Sequence, residues 1–537
     1  MGSISPDLDI PNLTISSFHH ALSTGTTTCT DLVTIYLSRI TQYDRTLKSI
    51  IHINSHALQT AHQKDLQTQS LLKSNVPLPP LHGVPVILKD NFTTIDTPTT
   101  AGVAALNALH TTTDSPVVAR LRAAGAIILA KTNLHEFALQ GTTVSSVGGQ
   151  TVNPWDGSRT PGGSSGGTAV AVACGFGLVG CGSDTVNSLR SPASACGVVG
   201  FRPSWGRVCT EGIVPVSSVQ DVVGPMGRCV GDVRTVFDVM KSAGKVESEK
   251  VRDGHARTIR IGILDAYFGL DEAPGDLSDE VIRENAVVRG IINEALTAIK
   301  TQAGADVELV HIDPASHPDW SFATLHSTAD TQIYEFQERL DAFLQLPSVM
   351  SPYRSLRDIA ESGQYDRKAV TEVFTAPLED PETFALDSPG YRTRLETVSV
   401  LKESVREVFE GNAVDALVYP HQRQFVVQIG AREQPRRNGI LAALTGRPAI
   451  CIPGEFGVWS LEFGVSRRRN LWKNGANIGF QAGLSAPTSS AAQGVPVGLE
   501  LMGRVDGDEE LLDLAQRIEG ILQQGKVPDM NWIKEAI

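Results

Sequence analysis

Basic residues are in the minority in this chain. Lysine and arginine number 46 against 59 aspartates and glutamates, a net charge of −13 over 537 residues. That balance repels a phosphate backbone, so nucleic acid is not expected as a partner. Long apolar runs are also missing: no window approaches the roughly 18 uninterrupted apolar residues of a membrane-spanning helix, so no membrane span is expected. The start, MGSISPDLDIPNL, has neither the basic segment nor the apolar stretch of a secretory signal. Pro6 stands where a myristoylation signal after Gly2 would carry Ser or Thr. These absences lead us to expect a soluble, unprocessed, cytoplasmic chain.

Cysteine is sparse. Seven residues (Cys29, Cys174, Cys181, Cys196, Cys209, Cys229, Cys451) are scattered without a CxxC pair or a Cys/His cluster at zinc spacing, so neither disulfides nor a structural metal is expected. No Pro/Gly/Ser tract is long enough to indicate extended disorder. What remains is ordinary for a folded globular protein: 41% hydrophobic and 20% charged residues.

Apolar spacing predicts a helical pair over residues 16–45, with Thr28 and Thr30 as candidate caps. It then predicts a buried strand from Val84 to Leu88 that runs into Lys89 and Asp90. Helices over Pro116–Ala124, Asn133–Leu139, Thr168–Gly175 and Asp232–Ala243 alternate with strands at Ala126–Ala130 and Val198–Phe201, which points to a mixed α/β sheet covered by helices. A polar stretch at 244–258 marks a subregion boundary before a strand at Ile259–Leu264 and a long helix between Leu277 and Gln302. Later strands at Ala416–Tyr419, Pro448–Ile452 and Val495–Met502 should complete the same sheet. Asp508 should cap a closing helix with Leu511, Leu514 and Ile518 on one face. Residues 455–483, with Arg467, Arg468 and Arg469 in a row, interrupt two consecutive strands and read as an insertion, either a surface loop or translated intron sequence.

The chemistry concentrates in Pro161-Gly-Gly-Ser-Ser-Gly-Gly167 and in the segment from Ser183 to Pro192. Glycines let the backbone approach a substrate and turn its N–H groups into a cavity; serines supply hydroxyls that attack or relay a proton. A serine needs a base. Lys89, at the end of an apolar strand, is the best candidate, because burial lowers a lysine pKa. Adjacent strand residues point to opposite sides, so Asp90 should face away from it.

GVPVILKDNF, GGSSGG and SDTVNSLRSPASACGVVGFRPSWGRV resemble the amidase signature family of Ser-cisSer-Lys amidases, and AGAIILAKTNLHEFA and NPWDGSRTPGG are similar to its flanking segments. The 75 residues from Lys89 to Ser164 and the 24 from Ser164 to Ser188 resemble the family's spacing. The likeness is strong over 80–240, the signature core, and weaker at DALVYP, TGRPAICIPG and GVPVGLELMG. It implies a single α/β domain over 1–537, with a large mixed, twisted sheet sandwiched between helical layers. It places the variable, substrate-side region at about 265–440.

The resemblance also assigns roles. Ser188 becomes the nucleophile, Ser164 the bridging serine preceded by a cis peptide, and Lys89 the base. The backbone N–H groups of Thr185, Val186, Asn187 and Ser188 form the oxyanion hole, with Ser165, Asp184 and Arg190 in support. One departure stands out: the family carries Gly-Gly before the nucleophile, and this chain carries Val186-Asn187. A β-branched valine disfavours positive φ, so an intact hole requires φ below zero at 186.

The expected activity is hydrolysis of a small carboxamide or ester through an acyl-Ser188 intermediate, without metal or organic cofactor; a homodimer is compatible with the family. Two other classes stay open: an amidase-fold scaffold impaired by Val186-Asn187, and a glutaminase-type subunit of an amidotransferase. An α/β-hydrolase reading of Gly162–Gly166 as G-x-S-x-G, with Asp415 and His421 downstream, is disfavoured because SRTPGG reads as loop where a strand is required. A Walker-type phosphate loop lacks the lysine after its glycines.

Overall fold

The computed structural model describes residues 8–242, 258–272, 274–313, 317–456 and 494–522, together with 528, 530 and 533. The proposed insertion at 455–483 therefore falls almost wholly outside the described residues.

In chain order the described strands are β1 (Ile50–Ile53), β2 (Pro85–Lys89), β3 (His110–Thr111), β4 (Ile127–Thr132), β5 (Val144–Ser145), β6 (Gly149–Gln150), β7 (Val179–Asp184), β8 (Val199–Arg202), β9 (Val222–Gly227), β10 (Ile259–Leu264), β11 (Val307–Ile312), β12 (Val349–Met350), β13 (Ala416–Pro420), β14 (Ala449–Phe456) and β15 (Pro496–Gly503). Eleven of them form one sheet in the order β1-β4-β2-β7-β9-β8-β14-β15-β13-β10-β11. The pairs β4/β2, β2/β7, β13/β10 and β10/β11 are parallel, and the other neighbours are antiparallel. Central strands such as β2 and β4 are buried along their whole length, which explains why they read as near-continuous apolar runs. The late strands β13, β14 and β15 do belong to the sheet begun by β1, β2, β4, β7, β8 and β9.

The helical pair is Ile15–Thr24 and Cys29–Leu47. Thr28 caps the second helix through a reciprocal bond with Asp31, while Thr30 lies inside it and bonds Asp65 instead. Gly25, at φ 73°, closes the first helix in a left-handed conformation that a side chain would resist.

Two expectations are corrected. Asn133–Leu139 is not a helix; only Glu136–Ala138 makes a 3₁₀ turn, with Phe137 at φ 53°. The side chain of Asn133 accepts from Leu134 N and Ser145 Oγ, and such local bonds compete with the helical ladder. Asp508 opens the helix Asp508–Leu522 but does not cap it: its Oδ1 accepts from Ser204 N at 2.8 Å, tying that helix to the chain after β8. Leu511, Leu514 and Ile518 are buried as expected.

A main hydrophobic core follows the sheet on both faces. A smaller one gathers Phe137, Phe336, Phe374 and their neighbours. There Phe137 meets the other two rings at centroid distances of 5.4 and 5.9 Å. Among the described residues no helix is long and apolar enough to cross a membrane.

Candidate active site

Strands β4, β2 and β7 run parallel, so their C-terminal ends lie side by side, the usual position of a site in an open α/β sheet. Lys89 ends β2 and is completely buried. Its Nζ lies 2.7 Å from Ser164 Oγ and 2.8 Å from Ser183 Oγ. Asp90 turns the other way, accepting from Lys131 Nζ at 2.8 Å and from Thr100 N at 2.9 Å. Burial pushes the Lys89 ammonium down to about 7, more strongly than the fields of Asp184 and Asp221 push it up.

Ser164 sits in the loop before the helix Gly166–Ala173, after a cis peptide to Gly163. A side chain at Gly166 would place its Cβ 2.3 Å from Thr143 Oγ1, so only glycine allows the loop to fold this closely over Thr143. Ser165 holds the loop to the next segment: its N–H donates to Ser188 O at 3.2 Å and its hydroxyl to Ser183 O at 3.2 Å.

The segment Thr185–Ser188 leaves the end of β7 and is pinned at each step. The Asp184 carboxylate accepts from Leu189 N, Arg190 Nε and Arg202 Nη1. Burial opposes its ionisation, but the two guanidiniums outweigh that and hold it well below the usual carboxylate range. Thr185 Oγ1 donates to Asp221 at 2.7 Å, and Arg190 Nη2 donates to Val186 O at 2.6 Å. Neither Val186 nor Asn187 has positive φ, so the departure from Gly-Gly is accommodated without left-handed backbone. The N–H groups of Val186, Asn187 and Ser188 donate to no acceptor among the described residues, the arrangement that an oxyanion hole requires.

Ser188 is 8% exposed, and its hydroxyl makes no hydrogen bond among the described residues. It borders a cavity of about 50 Å³ between Thr185–Ser188, Ala138–Gln140 and the side chains of Phe322, His326, Gln332 and Arg437. A wider hollow of about 370 Å³ around Asp44, Lys48 and Ile51 includes none of the predicted residues.

The structure thus links Lys89 to Ser164, Ser165 to Ser188, and Asp184 to Arg190 at the C-terminal ends of β2 and β7. It does not bring Asp415 or His421 to Ser164: Asp415 accepts from Arg260 N, and His421 pairs with Glu500. The α/β-hydrolase alternative has no triad here.

Sequence reasoning missed several partners. Ser183 Oγ accepts from Asn91 Nδ2 at 3.0 Å as well as from Lys89, locking the amine in place. Glu500, from β15, accepts from Arg190 Nη1, Tyr419 OH and His421 Nδ1, all fully buried. A lone glutamate inside the apolar strand PVGLELMG was the available signal, because a buried carboxylate requires cationic or donor partners. Glu500→Gln leaves Arg190 with one carboxylate fewer and should lower stability by about 3–5 kcal/mol, read as a lower urea midpoint at unchanged slope.

The sequence model of the Amidase family matches residues 31–512. The A subunit of glutamyl-tRNA(Gln) amidotransferase from Microcystis aeruginosa is 28% identical over 518 residues, 94% of this chain and 96% of that protein. The chloroplastic/mitochondrial A subunit from Zea mays is 43% identical over 282 residues, 49% of this chain, and the match spans about half (52%) of the maize protein. The native peptide amidase from Stenotrophomonas maltophilia superposes with a TM-score of 0.76 at 27% identity, covering 97% of this chain and 99% of that one. With the fold, the family match and these relatives in agreement, the chain belongs to the amidase signature family.

Proposed function

We propose that this protein is a serine amidase that hydrolyses a carboxamide or ester through an acyl-Ser188 intermediate. The observation that carries the reading is the 2.7 Å contact between Ser164 Oγ and a buried lysine poised near neutrality. Neutral Lys89 takes the proton of Ser164 as Ser164 takes that of Ser188, whose Oγ forms a bond to the carbonyl carbon. The carbonyl oxygen becomes an oxyanion facing the N–H groups of Thr185–Ser188. As the C–N bond breaks, the proton returns through Ser164 to the departing amine. Water then attacks the acyl-Ser188 ester along the same relay, releasing the acid. This sequence calls for no metal or organic cofactor.

The test is intact-mass spectrometry after exposure to a fluorophosphonate, with peptide mapping. One adduct on Ser188, absent from Ser188→Ala, is the expected result; folded protein that takes no adduct would overturn the reading in favour of an inert scaffold. The amidotransferase A subunits among the relatives favour a second reading, a glutaminase serving a partner subunit. Preference for glutamine over other primary amides would bring it forward.

A further inference from the structure

We infer that Arg437 recognises a carboxylate on the substrate, so that the amide opened at Ser188 belongs to a short acid. This rests on Ser188 being the acylated residue.

Arg437 is 8% exposed and borders the same cavity as Ser188. The other buried arginines of the site are neutralised: Arg190 meets Asp184 and Glu500, and Arg202 meets Asp184. Arg437 meets no carboxylate among the described residues. Its Nη1 donates to Asn187 Oδ1 at 3.0 Å, its Nη2 reaches Gln140 Oε1 at 3.4 Å, and its guanidinium lies 5.7 Å from the Phe322 ring. Asp184, already paired, and exposed Glu433 act on it only through space. A guanidinium buried without a counter-ion is a costly arrangement, and arginine keeps its proton at neutral pH.

The cavity is suited to supply the missing charge. Among the described residues no acidic side chain lines it; besides Ser188 and Arg437 its polar side chains are those of Gln140, Thr185, Asn187, His326 and Gln332. Arg437 Nε and Asn187 Nδ2 are buried donors with no acceptor among the described residues. A guanidinium that meets no carboxylate of its own matches the two oxygens of a substrate carboxylate. Asn187 stands where the family resemblance expects glycine, and its side chain orients the guanidinium. A Cβ at Gly439 would lie 2.6 Å from Asn187 Cβ, so the segment carrying Arg437 is fitted closely to that asparagine. Arg437 and Ser188 border the same small cavity of about 50 Å³, so the carboxylate and the amide of the substrate lie only a few carbons apart.

The experiment compares malonamate, succinamate and glutaramate, each against the neutral amide in which a methyl ketone replaces the carboxylate. At least one acid should exceed its neutral partner about 10–100-fold in kcat/KM, as a charged hydrogen-bonding pair implies. Arg437→Met should erase that ratio mainly through KM, and Arg437→Lys should restore part of it. Equal turnover of acid and neutral amides by wild-type protein, or a ratio that survives Arg437→Met, would overturn the proposal. Calorimetric titration of succinate and glutarate into Ser188→Ala protein separates this from the assignment of Ser188. Binding of either diacid that is lost when Arg437→Met is added supports Arg437 even if no fluorophosphonate adduct forms, whereas failure of both diacids to bind, or binding that survives Arg437→Met, counts against it.

Discussion

Ser188→Ala should reduce kcat on a hydrolysed amide by about four to six orders of magnitude while the protein stays folded. The size follows from the loss of the covalent route itself: without Oγ the relay from Ser164 to Lys89 has no proton to move, and only binding and the backbone donors remain. Folding should be spared because the Ser188 hydroxyl bonds no group among the described residues. The segment is held instead by Asp184, Thr185, Arg190 and the Ser165–Ser188 backbone bond. Initial rates with circular dichroism check both halves. A variant with full activity and native spectrum would remove Ser188 from the mechanism.

Lys89→Met should lower kcat/KM by about two to four orders of magnitude and abolish its acid limb. In the wild type the working form is the neutral amine, so activity should rise with pH through about 7 and fall roughly tenfold per unit below it. An unburied lysine would be neutral in only about one molecule in 2,500 at pH 7. Burial in the sheet therefore raises the population of the base by more than two orders of magnitude. Methionine fills the same space without a buried cation, and the swap should leave stability equal or higher. An unchanged limb near 7 in Lys89→Met would assign that titration elsewhere.

How far the primary structure could be followed depends on local contrast. Lys89 was legible because five buried residues end in a charge, a pattern with few meanings. Strand β7 was not: VGCGSD has two glycines and a cysteine where strands carry branched residues, and it is a strand because β2 and β9 flank it. Asn133–Leu139 had apolar spacing suited to a helix, but side-chain bonds from Asn133 and the buried carboxyl of Glu136, which accepts from Ser146 N and Asp366 N, hold another path. Asp184 and Arg190 could be placed by motif, six residues apart. Glu500 lies 310 residues from Arg190, and only the closing of the sheet shows that they meet. Arg437 sits in a polar stretch after β13 where nothing sets it apart until its neighbours are known.

The place of β15 bears on how the protein is made. This strand enters between β14 and β13, although both precede it in the chain. A nascent chain still on the ribosome can therefore carry Lys89, Ser164 and Ser188 and yet lack Glu500. Its Arg190 has lost a counter-ion, and its two halves present unjoined edges. Among the described strands the one that joins the two halves is the last to be translated, so until it emerges an unfinished polypeptide is marked by an open sheet and a buried arginine short of a partner.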